Sequence, residues 1–144
     1  MAKKISTPNK NPNENDDITH IFSISPIGIL IFQEGRIKFA NPESSNITGY
    51  SYQELIESDS FSLIPPEEQI YTQGKIEEIL QQKKSTPFLT KIRHKSGDVK
   101  YLLLTVCNIQ YQSSPATLAY FFDTTEQERL KEALKTSEEK FYKA

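Results

Sequence analysis

Residues 41–55, with the sequence NPESSNITGYSYQEL, contain two helix starts separated by a short break. Asn41 can cap a helix because its side chain accepts an N–H of the first turn, and Pro42 loses no hydrogen bond at the first helical position. Gly49 supplies the left-handed conformation in which helices commonly end. Residues 51–54, SYQE, match a capping box, in which the Ser and Glu side chains accept each other's free backbone N–H. The stretch therefore predicts two short helices in succession.

The residues immediately before these helices have the pattern of a β-hairpin. β-branched and aromatic residues flank Glu34-Gly35, a pair suited to a two-residue turn. One face then carries Leu30, Phe32, Ile37 and Phe39, and the other carries Ile27, Ile29, Ile31, Lys38 and Ala40. Since both faces are largely apolar, we expect the second to be covered by a preceding helix or by a partner subunit.

The sequence on either side predicts three more helices and three strands in addition to this hairpin. A short amphipathic helix is expected from Ile18, and a longer helix from Pro66 to about Lys83 with Ile70, Ile76, Ile79 and Leu80 on or near its buried side. Strands are expected at 88–94, 99–110 and 116–122, and a solvated helix from Thr125 onward. This order predicts an α+β fold with one five-stranded antiparallel sheet and helices on one face.

The composition limits the classes of protein to which the chain can belong. Its 144 residues suit one domain, and residues 1–17 are so polar that we expect a disordered leader. The 17 Lys and Arg nearly balance the 19 Asp and Glu, which leaves no basic field for nucleic acid. No stretch approaches the roughly 18 apolar residues of a membrane helix, and a single cysteine suits a reducing compartment. We therefore expect a cytoplasmic fragment that contacts neither nucleic acid nor membrane.

Three segments resemble the PAS family with its C-terminal PAC motif. Residues 41–55 resemble the family's helical stretch after the second strand, and residues 91–101, KIRHKSGDVKY, resemble the strand-turn-strand of the PAC region. Residues 123–126, DTTE, resemble the family's Asp-Ile-Thr-Glu junction, although Thr124 stands where an aliphatic residue is more usual. The resemblance implies a sensory domain over residues 18–123. Residues 124–144 are then a linker helix, whose end resembles the helix that introduces a second PAS domain.

The resemblance also implies a pocket between sheet and short helices, where relatives hold haem, flavin or small metabolites. Its expected lining is Phe39, Ile47, Tyr50, Leu55, Ile64, Tyr71 and Leu103, with Thr105 or Asn108 as polar contacts. Haem is disfavoured because the two histidines, His20 and His94, lie outside the long helix that carries the axial ligand in relatives. A cysteinyl-flavin adduct is disfavoured because Cys107 falls in a strand. The alternative is a core filled by these side chains, with no cofactor.

Two functions remain open. In the first, the domain binds a small ligand and passes a signal through Asp123, Thr124, Thr125 and Glu126 to a downstream effector in the same chain, for which the resemblance suggests a histidine kinase. In the second, it is a ligand-free dimerisation module that sets coiled-coil register. The candidate homodimer interface comprises Ile21, Ile27, Ile29, Ile31, Leu130 and Leu134.

Two further expectations concern chemistry. The carboxylate of Asp123 is expected to reach a basic side chain on a neighbouring strand, with Lys91, Arg93 and Lys100 as candidates. The sequence contains no phosphate loop, metal-ligand cluster or Ser/His/Asp constellation, so we expect no catalytic residues and no enzymatic activity in this fragment.

Overall fold

The computed structural model describes His20 and residues 23–143. The expected leader, and most of the predicted N-terminal helix including Ile21, lie outside the described residues. The strands are β1 (Gly28–Gln33), β2 (Arg36–Ala40), β3 (Phe88–Arg93), β4 (Val99–Tyr111) and β5 (Ser114–Asp123). The helices are α1 (Pro42–Thr48), α2 (Tyr52–Leu55), α3 (Pro66–Gln82) and α4 (Thr125–Lys143).

The strands form one antiparallel sheet in the order β2-β1-β5-β4-β3. Ile47 of α1, Leu55 of α2 and Ile79 of α3 join the same buried cluster as Leu104 and Phe121 of the sheet. The first three helices therefore cover one face, here called the inner face. The predicted α+β fold is confirmed.

The helix caps predicted from the sequence are present and connect distant segments. The Asn41 side chain accepts the N–H of Ser44 at 3.1 Å and also that of Ile29 at 2.8 Å, while its amide donates to Ile27 at 2.9 Å. Ser51 and Glu54 form both bonds of the capping box. A cap that also binds β1 holds α1 against the sheet, so one side chain sets both the start and the position of the helix.

The hairpin between β1 and β2 corrects the predicted register. Glu34 and Gly35 have φ values of 55° and 76° and form the expected two-residue turn. The register shifts at a bulge between Phe32 and Ile31, so that Ile31 lies opposite Phe39 instead of Lys38. One extra residue in a strand moves the following side chains to the opposite face. Phe39 therefore joins the outer face of the sheet, and Ala40 joins the core.

Helix α3 packs Ile76, Ile79 and Leu80 against the core as predicted, but it exposes Ile70 and buries Thr72. Ile70 is 87% exposed, whereas Thr72 is completely buried. Thr72, Ile76 and Ile79 recur at helical spacing and face the sheet, whereas Ile70 lies two positions before Thr72 and so points about 200° away. The polar Thr72 occupies a buried position that an apolar pattern could not reveal.

Candidate functional site

A cavity of about 410 Å³ lies between the inner face of the sheet and the helices. It is about three times the volume of the ~150 Å³ apolar cavity in an engineered lysozyme that binds benzene, so it has room for a small organic molecule. The lining comprises Leu30, Phe32, Gln33, Glu34, Gly35, Thr48, Ser60, Phe61, Leu63, Ile64, Thr72, Ile76, Thr90, Ile92, Leu102, Leu104, Val106, Asn108, Pro115, Ala116, Thr117, Ala119 and Phe121.

Alternation along the central strands produces the apolar wall of this cavity. Leu102, Leu104 and Val106 of β4 occupy every second position and are all buried. Their neighbours on β5 are cross-strand partners: Leu104 lies opposite Phe121, and Val106 lies opposite Ala119. The wall therefore belongs to β5, which leads into α4, and to its neighbour β4.

The polar groups of the cavity lie at two different places. Deep inside, the hydroxyls of Thr72 on α3 and Thr90 on β3 form a hydrogen bond of 2.7 Å, and both residues are buried. Where the cavity opens, the Asn108 amide donates to the carbonyl of Leu80 at 3.3 Å. The Gln33 amide donates to backbone carbonyls of the β4–β5 turn region. A polar rim and an apolar interior with a single polar contact suit an organic ligand.

Two of the predicted pocket residues, Ile64 and Asn108, line the cavity. Three others lie on the outer face of the sheet, away from the cavity. Phe39 does so because of the bulge, and Leu103 and Thr105 do so because they alternate with the inward-facing residues of β4. The remaining four are absent from the lining. Ile47 and Leu55 are buried in the core, Tyr50 packs against it, and Tyr71 is exposed with its ring edge-on to Phe88 at 6.4 Å.

The sequence interpretation missed Thr72 and Thr90, which supply the deep polar contact. Thr90 had a usable signal, since it alternates with Phe88 and Ile92 in a strand whose inner positions are apolar. Thr72 had none, because its partner lies far away in sequence and a polar helix residue is normally exposed.

The two histidines and the cysteine lie away from the cavity lining. His20 is exposed. The His94 ring lies against Gly49, and its Nδ1 accepts the N–H of Ser96 at 3.0 Å. Cys107 alternates with Val106 and so faces outward. Among the described residues, no group of His, Cys, Asp and Glu side chains is arranged to hold a metal ion.

The turn between β3 and β4 is attached to the short helices beside the cavity. The Lys95 N–H donates to the carbonyl of Thr48 at 3.0 Å, and its ammonium group lies 2.7 Å from a carboxylate oxygen of Glu54. The hydrogen bond from Lys95, followed by that from the Ser51 N–H, lowers the pKa of Glu54 below its ordinary value. The same ammonium lies 6.0 Å from the centroid of the Tyr50 ring. These contacts connect α1 and α2 to the sheet.

The junction between β5 and α4 is bonded to the backbone of a single residue of β4, Tyr101. Tyr101 donates its N–H to the hydroxyl of Thr125 at 2.9 Å. Its carbonyl accepts the N–H and the hydroxyl of Thr124 at 2.8 and 3.1 Å. Asp123 in turn accepts the N–H of Thr125 at 2.9 Å and its hydroxyl at 2.5 Å. The next residue of β4, Leu102, lines the cavity.

The expected ion pair of Asp123 with a basic side chain is not formed among the described residues. Its carboxylate caps the chain two residues ahead instead. Lys91 lies 5.6 Å from the centroid of the Tyr101 ring, and Arg93 lies 4.0 Å from Glu67. Glu126 is exposed in the first turn of α4, where its charge suits the positive end of the helix dipole.

The candidate interface residues divide into two groups. Ile29 and Ile31 are each only 7% exposed within the single chain, so they do not form the free apolar surface expected from the sequence, and Ile27 is partly buried. Leu130 and Leu134 are 62% and 61% exposed on α4. Among the described helices, none combines the length and apolar composition required to cross a membrane.

Sequence and structure comparisons found known proteins that are similar to this chain. Residues 37–118 match the sequence model of a family described as the PAS fold, and no curated protein sequence matches significantly. The PAS domain of a protein from Colwellia psychrerythraea is 16% identical, with a TM-score of 0.72 over 78% of this chain and 98% of that chain. A sensory box histidine kinase/response regulator from Burkholderia thailandensis is 18% identical, with a TM-score of 0.69 over 88% and 98%. An RNA-binding light-oxygen-voltage receptor is 13% identical, with a TM-score of 0.74 over 96% and 41%.

Proposed function

The chain belongs to the PAS family, and from this premise we propose that it is a cytoplasmic sensory domain without catalytic residues of its own. In this proposal a small molecule binds in the cavity, and the resulting change is passed through α4 to an effector domain in the same chain. A histidine kinase is the proposed effector, since structural neighbours include a PAS domain from a two-component sensor histidine kinase and a sensory box histidine kinase/response regulator.

The observation that carries the proposal is the short connection between the cavity and α4. Leu102 lines the cavity, and the backbone N–H and carbonyl of the preceding Tyr101 are bonded to Thr125 and Thr124, respectively. A ligand that displaces β4 by a fraction of an ångström therefore acts directly on the start of α4. Because both polar atoms of the Tyr101 backbone are used, the junction cannot follow such a shift without changing its own geometry.

Retention of a ligand tests the first step. Native mass spectrometry of the purified chain is expected to show a bound small molecule that is lost on denaturation. Ala119→Leu adds volume inside the cavity and should abolish retention, whereas Cys107→Val on the opposite face of the sheet should preserve it. If the parent chain carries no ligand and binds none from a metabolite extract, the ligand-binding proposal is wrong.

The exposed leucines of α4 support a second candidate function, ligand-free dimerisation that sets the register of a coiled coil. Leu130 and Leu134 are four residues apart on one face of an otherwise charged helix, which is typical of a coiled-coil seam. The proposed homodimer is parallel. Sedimentation at high micromolar concentration should then show the mass of a dimer, which the double variant Leu130→Lys and Leu134→Lys dissociates. A monomeric parent chain would exclude this function.

A further inference from the structure

We infer that the cavity takes a neutral, elongated and predominantly apolar molecule with one hydrogen-bond acceptor at its inner end. The inference rests on the proposed ligand-binding function and names the chemistry of that ligand. It follows from the charge of the lining, from the hydrogen bonding of Thr72 and Thr90, and from the distance between the two polar regions.

The lining excludes an anionic ligand. Among the described residues that form the cavity, no Lys, Arg or His is present, and the one charged side chain is that of Glu34 in the exposed β1–β2 turn. A carboxylate or phosphate in the interior would lose its hydration without gaining an opposite charge. It would also pass a side chain of the same sign at the opening. A neutral molecule meets neither obstacle.

The threonine pair provides one hydrogen-bond donor for the ligand. Each hydroxyl has one proton and two acceptor sites, so the bond between Thr72 and Thr90 uses one of their two protons. Neither hydroxyl forms another hydrogen bond within the described part of the chain. Both residues line the cavity, but Thr72 is fully buried and Thr90 is 3% exposed, so of the two only Thr90 retains surface that a ligand can contact. A ligand carbonyl or ether oxygen can accept the second proton, which repays the desolvation of that hydroxyl.

The two polar regions lie far apart along the sheet, so a molecule that fills the cavity between them is elongated. Thr90 lies opposite Leu102 of β4, whereas Asn108 at the opening lies opposite Thr117 of β5. At about 3.3 Å per residue, the stretch of β4 from Leu102 to Asn108 spans roughly 20 Å. A compact ring system of the same volume would contact one end only. The inner end is also the end nearest α4, since Leu102 lies opposite Asp123.

A series of three probes of equal chain length tests this inference on the full chain. Decane has no acceptor, 2-decanone has one neutral acceptor at its end, and decanoate has a negative charge there. We expect calorimetric titration to give 2-decanone the lowest Kd, by roughly 2- to 12-fold over decane, which corresponds to one neutral hydrogen bond. Decanoate should bind more weakly than either. Equal affinities of decane and 2-decanone, or tighter binding of decanoate, would overturn the inference while leaving ligand binding intact.

Variants of the threonine pair assign the effect to these residues. In the double variant Thr72→Val and Thr90→Val, both partners are replaced by apolar groups of similar shape, so the fold should persist. It should bind decane as the parent does and lose the preference for 2-decanone. Thr90→Ser keeps the hydroxyl and should keep the preference, which provides a readout if the double variant does not fold. If the parent binds none of the three probes, this inference is wrong, whereas the proposed ligand-binding function is decided separately by the retention of a ligand in the purified chain.

Discussion

Thr125, the first residue of α4, accepts the backbone N–H of Tyr101 on β4 at 2.9 Å. The side chain that begins the exit helix is therefore bonded to a strand of the cavity wall, and the same hydroxyl donates to Asp123. A single buried hydroxyl thus connects β4, the end of β5 and α4. Its removal should affect both stability and signal transfer.

Thr125→Val is expected to lower the free energy of unfolding by about 1–3 kcal/mol, because it leaves the Tyr101 N–H without its acceptor. Thr125→Ser retains the hydroxyl and should cost less than about 1 kcal/mol. Urea denaturation of the two variants and the parent measures the difference. Equal stabilities of the Val and Ser variants would show that the hydroxyl contributes nothing to the junction.

Asp123→Ala should leave the domain folded but uncouple it from its effector, since the carboxylate orders Thr125 and not a basic side chain. Loss of such a cap costs about 1 kcal/mol. Asp123→Asn keeps an acceptor oxygen and should retain the response. The measurement is effector output, with and without stimulus, in the chain fused to its native downstream domain. A folded Ala variant that responds like the parent would reduce the junction to a helix cap.

Stability should fall in acid partly through Glu54, whose pKa is lowered below its ordinary value of 4.5 by the hydrogen bonds from Lys95 and Ser51. The pKa of Glu54 is lower in the folded chain than in the unfolded chain. Ionised Glu54 therefore stabilises the fold fully at pH values above its ordinary pKa of 4.5. The contribution disappears as the pH falls through the lowered pKa. Glu54→Gln should therefore be less stable than the parent at neutral pH, and the gap should narrow in acid. A gap that does not change with pH would contradict the ion pair as its cause; the effect is small because Glu54 is exposed.

Gly49→Ala should destabilise the domain for two reasons that a double-mutant cycle can separate. Gly49 has φ of 81°, a conformation that costs other residues about 1–2 kcal/mol, and an added Cβ would overlap the His94 ring. The substitution His94→Ala removes the ring and with it the overlap, but it leaves the cost of the positive φ at residue 49. We expect the double variant to be more stable than the sum of the single effects predicts. Strict additivity would show that the ring moves aside without cost.

Haem reconstitution should yield no Soret band that survives gel filtration. The iron would need an axial ligand in the cavity, whereas His20 is exposed and His94 lies against Gly49, outside the lining. A stable band that disappears in His94→Ala or His20→Ala would show that one of these residues reaches the site. His94→Gln provides a control for changes in packing at the β3–β4 turn.

The candidate site was less predictable than the fold, and individual residues show why. Ile64 and Asn108 could be assigned to the cavity because family resemblance gives approximate positions along the chain. Phe39 could not, because one bulged residue, Lys38, reverses the face of everything after it in β2. Lys38 forms an ion pair with Glu57 at 3.0 Å, and no local sequence pattern predicts this contact between two segments.

The sequence by itself determined the local devices: the Asn41 cap, the capping box of Ser51 and Glu54, the turn at Glu34-Gly35, and with them the order of helices and strands. Each depends on atoms within about four residues of one another, so residue type alone decides it. Only the tertiary structure decided that Thr72 meets Thr90 and that Thr125 meets Tyr101. Such pairs depend on strand register and helix rotation, which are set by packing of the whole core and not by neighbours in the chain.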